Sequence, residues 1–328
     1  MRILTIGGTR FFGRAFVEET ARRGHEVAVF HRGESEPAGL ADVEHLHGDR
    51  TRGLDVLGGR SWDAVLDTCA FVPRAIREVE GAMGDLIGHY TLVSSLSVHP
   101  DDLPVGATED TSTYPPPFPD TEDVTDETYG PLKVACEAEA AARFAGRLLV
   151  IRPGYIVGPQ DPTDRFTYWV RRAADGGEML AAGPLDAPIQ GIDARDLGTF
   201  ALDRIEAADT GTYGVVGPAE PVTTFSVLES ARTAAGADTS FVWAEPEFVL
   251  GLGDQHETWF PMWHPHLPGF HSYDAGKATA AGLRPRPFDE TIADTLAWDR
   301  ERGRPPLAAG MTAEKERELL DAWRARAS

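Results

Sequence analysis

Arg2-Ile3-Leu4-Thr5-Ile6-Gly7-Gly8-Thr9-Arg10-Phe11-Phe12-Gly13 decides the fold of this chain. Arg2–Ile6 is an apolar, β-branched run long enough for one buried strand. It stops at a glycine-rich turn. A helical pattern follows, with Phe12, Ala15 and Phe16 on one face and Glu18, Glu19, Arg22 and Arg23 mostly outside it. Gly24 suits the position just past the helix end. Glu26–Phe30 then reads as a second buried strand. Strand, glycine turn, helix and strand make the first half of a dinucleotide-binding βαβ unit. The glycines let the backbone turn tightly and approach a pyrophosphate, whose charge sits on the N–H groups at the helix start. The alternative is a turn whose glycines serve geometry alone.

The spacing is Gly7-x-x-Arg10-x-x-Gly13. It resembles the G-x-x-G-x-x-G turn of the extended short-chain dehydrogenases, with Arg10 in place of the middle glycine. That departure adds a cation where bound phosphates would lie. The resemblance is to the NAD(P)-dependent epimerase/dehydratase family, UDP-galactose 4-epimerase-like, and it covers most of the chain. It implies an α/β fold: a Rossmann-like doubly wound parallel sheet with a smaller C-terminal substrate lobe. The expected cofactor domain is 1–155, with 187–216 returning to it, and the expected lobe is 156–186 plus 217–328. Gly7, Thr9, Arg10, Phe11, Phe12 and Gly13 become the expected phosphate-side contacts.

At 328 residues there is room for one large α/β domain and a smaller lobe, and 42% hydrophobic residues supply a sizeable core. The net charge of -21 disfavours nucleic acid or an anionic membrane as main partner, since phosphate binding needs clustered Lys and Arg. The partner expected is a small-molecule substrate. Cys69 and Cys136 are too few for a disulfide framework and read as buried free thiols. The sequence opens on its first strand and no apolar run approaches about 18 residues, so a cytoplasmic protein is expected.

His31-Arg32-Gly33 follows the second strand. NAD-preferring sites place an acidic residue here for the ribose 2′-OH, whereas a nearby arginine suits the 2′-phosphate of NADP. The resembled epimerases carry Asp at the position of His31. With no carboxylate there, and with Arg32 and Arg10 both able to reach the adenosine end, NADP is favoured over NAD. Val43–His47 gives a third strand before Gly48-Asp49-Arg50. By resemblance Asp49 holds the adenine amino group, and Arg50 stacks on the base or reaches a phosphate. Asp63–Asp67 is the fourth strand, 73–83 a helix, and Tyr90–Val93 the fifth strand.

That fifth strand runs into Ser94-Ser95-Leu96-Ser97-Val98-His99. The resemblance places a catalytic Ser or Thr here, and alignment on Val98 selects Ser95, with Ser94 as its neighbour in reserve. The 4,6-dehydratases of the family carry an Asp-Glu pair after that residue. Leu96 and Ser97 stand there instead, which argues against dehydration. Residues 99–126, rich in Pro, Asp and Thr, read as a solvated loop beside the pocket.

Tyr129-Gly130-Pro131-Leu132-Lys133 is a Tyr-x-x-x-Lys motif. A phenol titrates near pH ~10 in water, and a nearby ammonium favours its phenolate. A phenol so tuned can exchange a proton with a substrate alcohol while a hydride moves. One helical turn puts Tyr129 and Lys133 on one face, and the resemblance adds that Lys133 binds the nicotinamide ribose. Because proline prefers the first turn, the helix is expected to begin near Gly130, with Tyr129 just outside.

Arg147–Arg152 is the sixth strand, leading into a Pro153-Gly154-Tyr155 loop. By resemblance, nucleotide-sugar epimerases carry Asn at the position of Tyr155 for the substrate phosphate, so a nucleotide-sugar substrate is weakened. Further on, 161–172 opens the substrate lobe, Asp193 precedes a helix, 212–216 returns as a strand, 224–235 is a helix and 241–244 a strand. Residues 257–273 are dense in aromatics, proline and histidine. His264 and His266 have no Cys or carboxylate at metal-site spacing, so no metal is expected. The helices 291–302 and 313–326 close the chain.

Taken together, the residues imply a NAD(P)-dependent epimerase or oxidoreductase. It would act on a secondary alcohol or ketone of a sugar, nucleotide sugar or related small molecule. A NADPH-dependent ketone reductase is the alternative. A non-catalytic NADP-sensing or RNA-binding relative is the rival from another class, and the acidity argues against RNA. The resemblance leaves a homodimer open.

Overall fold

The computed structural model describes residues 1–34, 40, 43–115, 121–265 and 267–326. The chain divides into two compact units. Met1–Gly154, Ala194–Val216 and Tyr273–Arg284 form the first; Tyr155–Asp193, Gly217–Ser272 and Pro285–Ser328 form the second.

In the first unit, β1 (Arg2–Ile6), β2 (Glu26–His31), β3 (Glu44–His47), β4 (Trp62–Asp67), β5 (Ile87–Val93) and β6 (Leu148–Pro153) join the strand Gly211–Val215. They make a seven-stranded sheet in the order Gly211–Val215, β6, β5, β4, β1, β2, β3. Every pairing is parallel. Parallel strands need crossovers that cover both faces, which is why they read as near-continuous apolar runs. Ile3, Leu4, Val65, Leu66 and Leu92 are fully buried. The strand order reverses between β1 and β4, and open sheets of this kind bind ligands at the carboxyl ends beside that reversal.

Helix α1 (Phe11–Arg22) buries Phe12, Gly13, Phe16 and Val17. Helix α5 (Ala194–Glu206) lies against it at Gly198, where an added Cβ would sit 3.1 Å from the Phe16 nitrogen. Helix α2 spans Pro73–Met83, with proline in its first turn.

Helix α3 (Asp126–Arg143) begins earlier than proline placement suggested. Thr125 and Thr128 cap each other: Thr128 Oγ1 accepts from the Thr125 amide at 2.8 Å, and Thr125 Oγ1 accepts from the Thr128 amide at 3.3 Å. That box starts the helix before Tyr129, and Pro131 is carried inside it. Tyr129 is therefore a helical residue whose amide donates to the Thr125 carbonyl at 2.9 Å.

Most described residues of the loop after β5 are exposed, as expected, but a few side chains anchor it. Leu103 and Ala107 are buried with Leu96, Val216 and Tyr273. Glu109 accepts from the Gly214 amide at 2.6 Å, and the Tyr114 amide donates to Val98 O at 2.8 Å. Residues 116–120 of the expected loop lie outside the described residues. The segment 273–284, read from the sequence as substrate lobe, belongs to the first unit. Gly214 is bare because the Tyr273 ring fills the space a side chain would need. Residues 187–193, expected to return to the cofactor domain, belong to the second unit.

The second unit is built on helix α4 (Arg165–Ala174), helix α6 (Thr224–Ala235) and the helices Phe288–Glu301 and Ala313–Arg326. A two-stranded parallel pair, Glu178–Ala182 with Ser240–Ala244, packs with them. Phe166, Tyr168 and Trp169 of α4 all point into this core. No helix among the described residues is long and apolar enough to cross a membrane.

Candidate active site

The glycine turn is shaped by close backbone approach. Gly7 adopts φ +90°, a region other residues avoid. A Cβ on Gly7 would meet Thr68 Oγ1 at 2.5 Å, and one on Gly13 would meet the Gly7 carbonyl oxygen at 2.5 Å. Thr68 locks the turn by donating to Ile6 O at 2.9 Å and Gly7 O at 3.0 Å. Phe11, the first helical residue, sits at φ 44°, a strained conformation that costs roughly 1–3 kcal/mol. Arg10 occupies the N-cap, no side chain caps α1, and its first turn carries no acidic residue. Helix geometry alone aims the first-turn N–H groups of α1 at whatever anion enters.

At the adenosine end, the partners assign the histidine tautomers. His45 Nε2 lies 2.9 Å from the Leu40 carbonyl and must donate to it. Its Nδ1 then accepts from His31 Nε2 at 2.7 Å, and His31 Nδ1 accepts from the Gly33 amide at 3.1 Å. His31 and His47 face each other across β2 and β3. The three rings place one ligand atom each within 4.8 Å of one another. The sequence reading had passed over His45 and His47. Their signal was a His-x-His pair on a strand, whose period of two puts both rings on one face. Arg32 is exposed and pairs with Glu34 at 2.9 Å. Asp49 accepts from the Thr51 amide and hydroxyl, which holds its carboxyl below the usual range.

Arg50 departs from its expected place at base or phosphate. Its guanidinium grips the fully buried Asp67 at 2.8 and 3.0 Å and also donates to the Ala75 carbonyl. Tyr90, also fully buried, donates at 3.0 Å to Asp67 Oδ2, the oxygen that also accepts from Arg50 Nη2. A carboxylate at the end of a buried strand needs such partners, and that need was the missed sequence signal.

Burial pushes the Cys69 thiol up to about 11 and the Cys136 thiol up to about 12. At pH ~8 both should therefore alkylate at roughly one-hundredth of the rate of a free thiol or less. Iodoacetamide labelling followed by mass spectrometry, native against denatured, checks this. Fast native labelling of either cysteine would contradict it.

Helix α3 carries Tyr129 and Lys133. Gly130 packs directly onto the turn 96–98, where an added Cβ would collide with the Ser97 carbonyl oxygen. Glycine inside a helix costs roughly 0.5–1 kcal/mol relative to alanine, and this contact is its reason. Tyr129 therefore rides on the helix that touches the serine turn. Lys133 is buried, and its Nζ donates to Val93 O at 2.7 Å and Ala70 O at 3.0 Å. It thus ties together the carboxyl ends of β4 and β5, and burial pulls its ammonium pKa down. Phe71 packs on both residues: its ring centroid is 5.4 Å from Lys133 Nζ and 6.4 Å from the Tyr129 ring. Nothing in the sequence pattern singled out Phe71.

Ser95 caps the serine turn, accepting from the Ser97 amide at 3.0 Å and donating to Ser97 Oγ at 3.0 Å. Ser94 is buried, and among the described residues its Oγ has no hydrogen-bond partner. Arg152 is held by Glu137 of α3 at 2.9 and 2.6 Å, which ties β6 to α3.

The profile described as the NAD dependent epimerase/dehydratase family matches residues 3–216. The chain belongs to that family. Membership makes it an enzyme of the epimerase and oxidoreductase kind, working with a nicotinamide dinucleotide. A comparison with curated proteins finds no match. Among solved structures, it is similar to the UDP-N-acetylglucosamine 4-epimerase of Bacillus cereus: 16% identity, TM-score 0.66, over 91% of this chain and 99% of that one. The UDP-glucose 4-epimerase of Bifidobacterium longum, in complex with NAD+ and UDP, gives 17%, 0.64, 93% and 99%. The enzyme WbmH of Bordetella bronchiseptica, in complex with NAD+, gives 15%, 0.69, 92% and 99%. Identities this low speak for the fold.

The chain's residues fit the family's cofactor. The Gly7 and Gly13 cradle leaves no room for a Cβ, and the first turn of α1 contains no acidic residue.

Proposed function

We propose that this family member is a NAD(P)-dependent epimerase or oxidoreductase acting on a secondary alcohol or its ketone, with NADP preferred. The observation that carries the reading is α3 packed through Gly130 onto the serine turn. That contact puts Tyr129, Lys133 and Ser95 on adjoining elements at the carboxyl ends of β4 and β5. When bound, the nicotinamide supplies the hydride acceptor or donor. Tyr129 moves the proton at the substrate oxygen, and Ser95 holds that oxygen. Lys133 already spends two of its N–H bonds on Ala70 and Val93, and the third would donate to the nicotinamide ribose when the cofactor is bound. Its positive charge, kept close by burial, favours the Tyr129 phenolate. Gly7, Thr9, Arg10, Phe11, Phe12 and Gly13 hold the pyrophosphate, and Asp49 the adenine. In an epimerase the ketone is re-reduced on its other face; in a reductase the hydride passes once.

The test is to identify any nucleotide released on denaturation and then titrate NAD+ and NADP+ into the apo chain. Tighter, exchangeable NADP+ binding supports the reductase form, and retained NAD the epimerase form. Binding of neither removes the reading. Arg32 supports the NADP preference by its place after β2. Arg32→Ala should narrow the NADP+ over NAD+ preference by about fivefold to tenfold, the modest value expected of an exposed cation. An unchanged ratio of dissociation constants would remove Arg32 from the site.

A further inference from the structure

The second unit holds a cavity of about 180 Å³ whose lining turns its polar groups toward the protein. Trp169 Nε1 donates to the Pro261 carbonyl at 2.6 Å, and Trp263 Nε1 to the Gly183 carbonyl at 3.0 Å. Both indoles therefore offer only their faces. His271 Nδ1 accepts from the Gln190 amide at 3.0 Å, which leaves its Nε2–H to donate to the Met262 carbonyl at 3.0 Å. That ring is neutral and locked, and burial pulls its pKa down. His264 Nε2 meets the Tyr155 hydroxyl at 2.6 Å, and Tyr155 stacks on both histidine rings. Thr224 Oγ1 donates to the Ala187 carbonyl at 3.4 Å, and the rest of the wall is aliphatic and aromatic, with Ile189, Val227 and Leu228 among it.

Among the described residues, no Asp, Glu, Lys or Arg lines this cavity. A diphosphate requires cations or a row of N–H donors, and such a lining provides neither. A cavity of roughly 150 Å³ with apolar walls accepts a benzene ring and stays free of water.

We propose that this cavity receives a neutral aromatic or alicyclic ring and not the diphosphate of a nucleotide sugar. The ligand class of the cavity rests on its walls alone.

The experiment titrates 2-naphthol and, separately, UDP-glucose into the full-length chain without cofactor. Binding is followed by calorimetry and by the methyl resonance of Met262, assigned with Met262→Leu. The expected result is that 2-naphthol binds and shifts Met262 and that UDP-glucose does neither. Ala187 is half-buried at the cavity wall. Ala187→Trp should weaken 2-naphthol at least tenfold while leaving NADP+ binding unchanged. Thr224→Phe fills the same space should that variant not fold. Displacement of 2-naphthol by UDP-glucose, absence of 2-naphthol binding, or undiminished affinity in the filled variants would each overturn the proposal. A 2-naphthol complex in a chain that binds no dinucleotide would strike the oxidoreductase reading and support the cavity's ligand class.

Discussion

Replacing Tyr129 by phenylalanine is expected to lower turnover by about 10²–10⁴-fold, the range for loss of a positioned general acid or base. Dinucleotide affinity should stay within about twofold, because the substitution removes one hydroxyl and keeps the ring beside Phe71. The helix should be undisturbed, since Thr125 and Thr128 start it and Gly130 seats it. Lys133→Met should differ: it removes two bonds to the ends of β4 and β5 and should damage cofactor binding together with turnover. The measurement is kcat and KM on the identified substrate, with cofactor dissociation constants for both variants. A Tyr129→Phe enzyme with ordinary kcat would move the proton-transfer role to another group.

The second large effect concerns stability. Arg50→Ala should destabilise the chain by about 3–5 kcal/mol, because it strands the Asp67 carboxylate in a buried site. Asp67 would keep only the Tyr90 hydroxyl and the Cys69 amide. Replacing both partners, Arg50→Met with Asp67→Leu, should recover much of the loss, since two apolar groups leave no charge unpaired. Denaturant midpoints of the single and double variants check this, read beside the m-value. A single variant as stable as the parent would return Arg50 to the cofactor side, where the sequence alone had placed it.

The parallel sheet was legible because its central strands β1, β4, β5 and β6 are buried almost throughout, and burial leaves an apolar run that needs no partner to be recognised. Helices α2 and α6 were read to their ends for a similar reason: Pro73 and Thr224 open periodic segments. Tyr129 and Lys133 were legible as a spacing, since one helical turn is fixed by backbone geometry. The start of α3 was misjudged because a proline was weighed against nothing, whereas Thr125 and Thr128 together outweigh it.

The sequence by itself determined a dinucleotide-type α/β sheet, the glycine turn that ends its first strand, and the Tyr129–Lys133 spacing of one helical turn. All of these follow from local geometry and burial period. Only the tertiary structure decided the rest. It turned Arg50 inward to Asp67 across 17 residues and drew Gly130 onto the serine turn. It placed Phe71 against Tyr129 and Lys133, gathered His31 with His45 and His47, and gave the second unit an uncharged cavity. Each of these is a meeting of side chains from separate segments. Which partner a buried charge finds, and which walls a cavity keeps, is set by the packing of whole elements, and no local spacing records it.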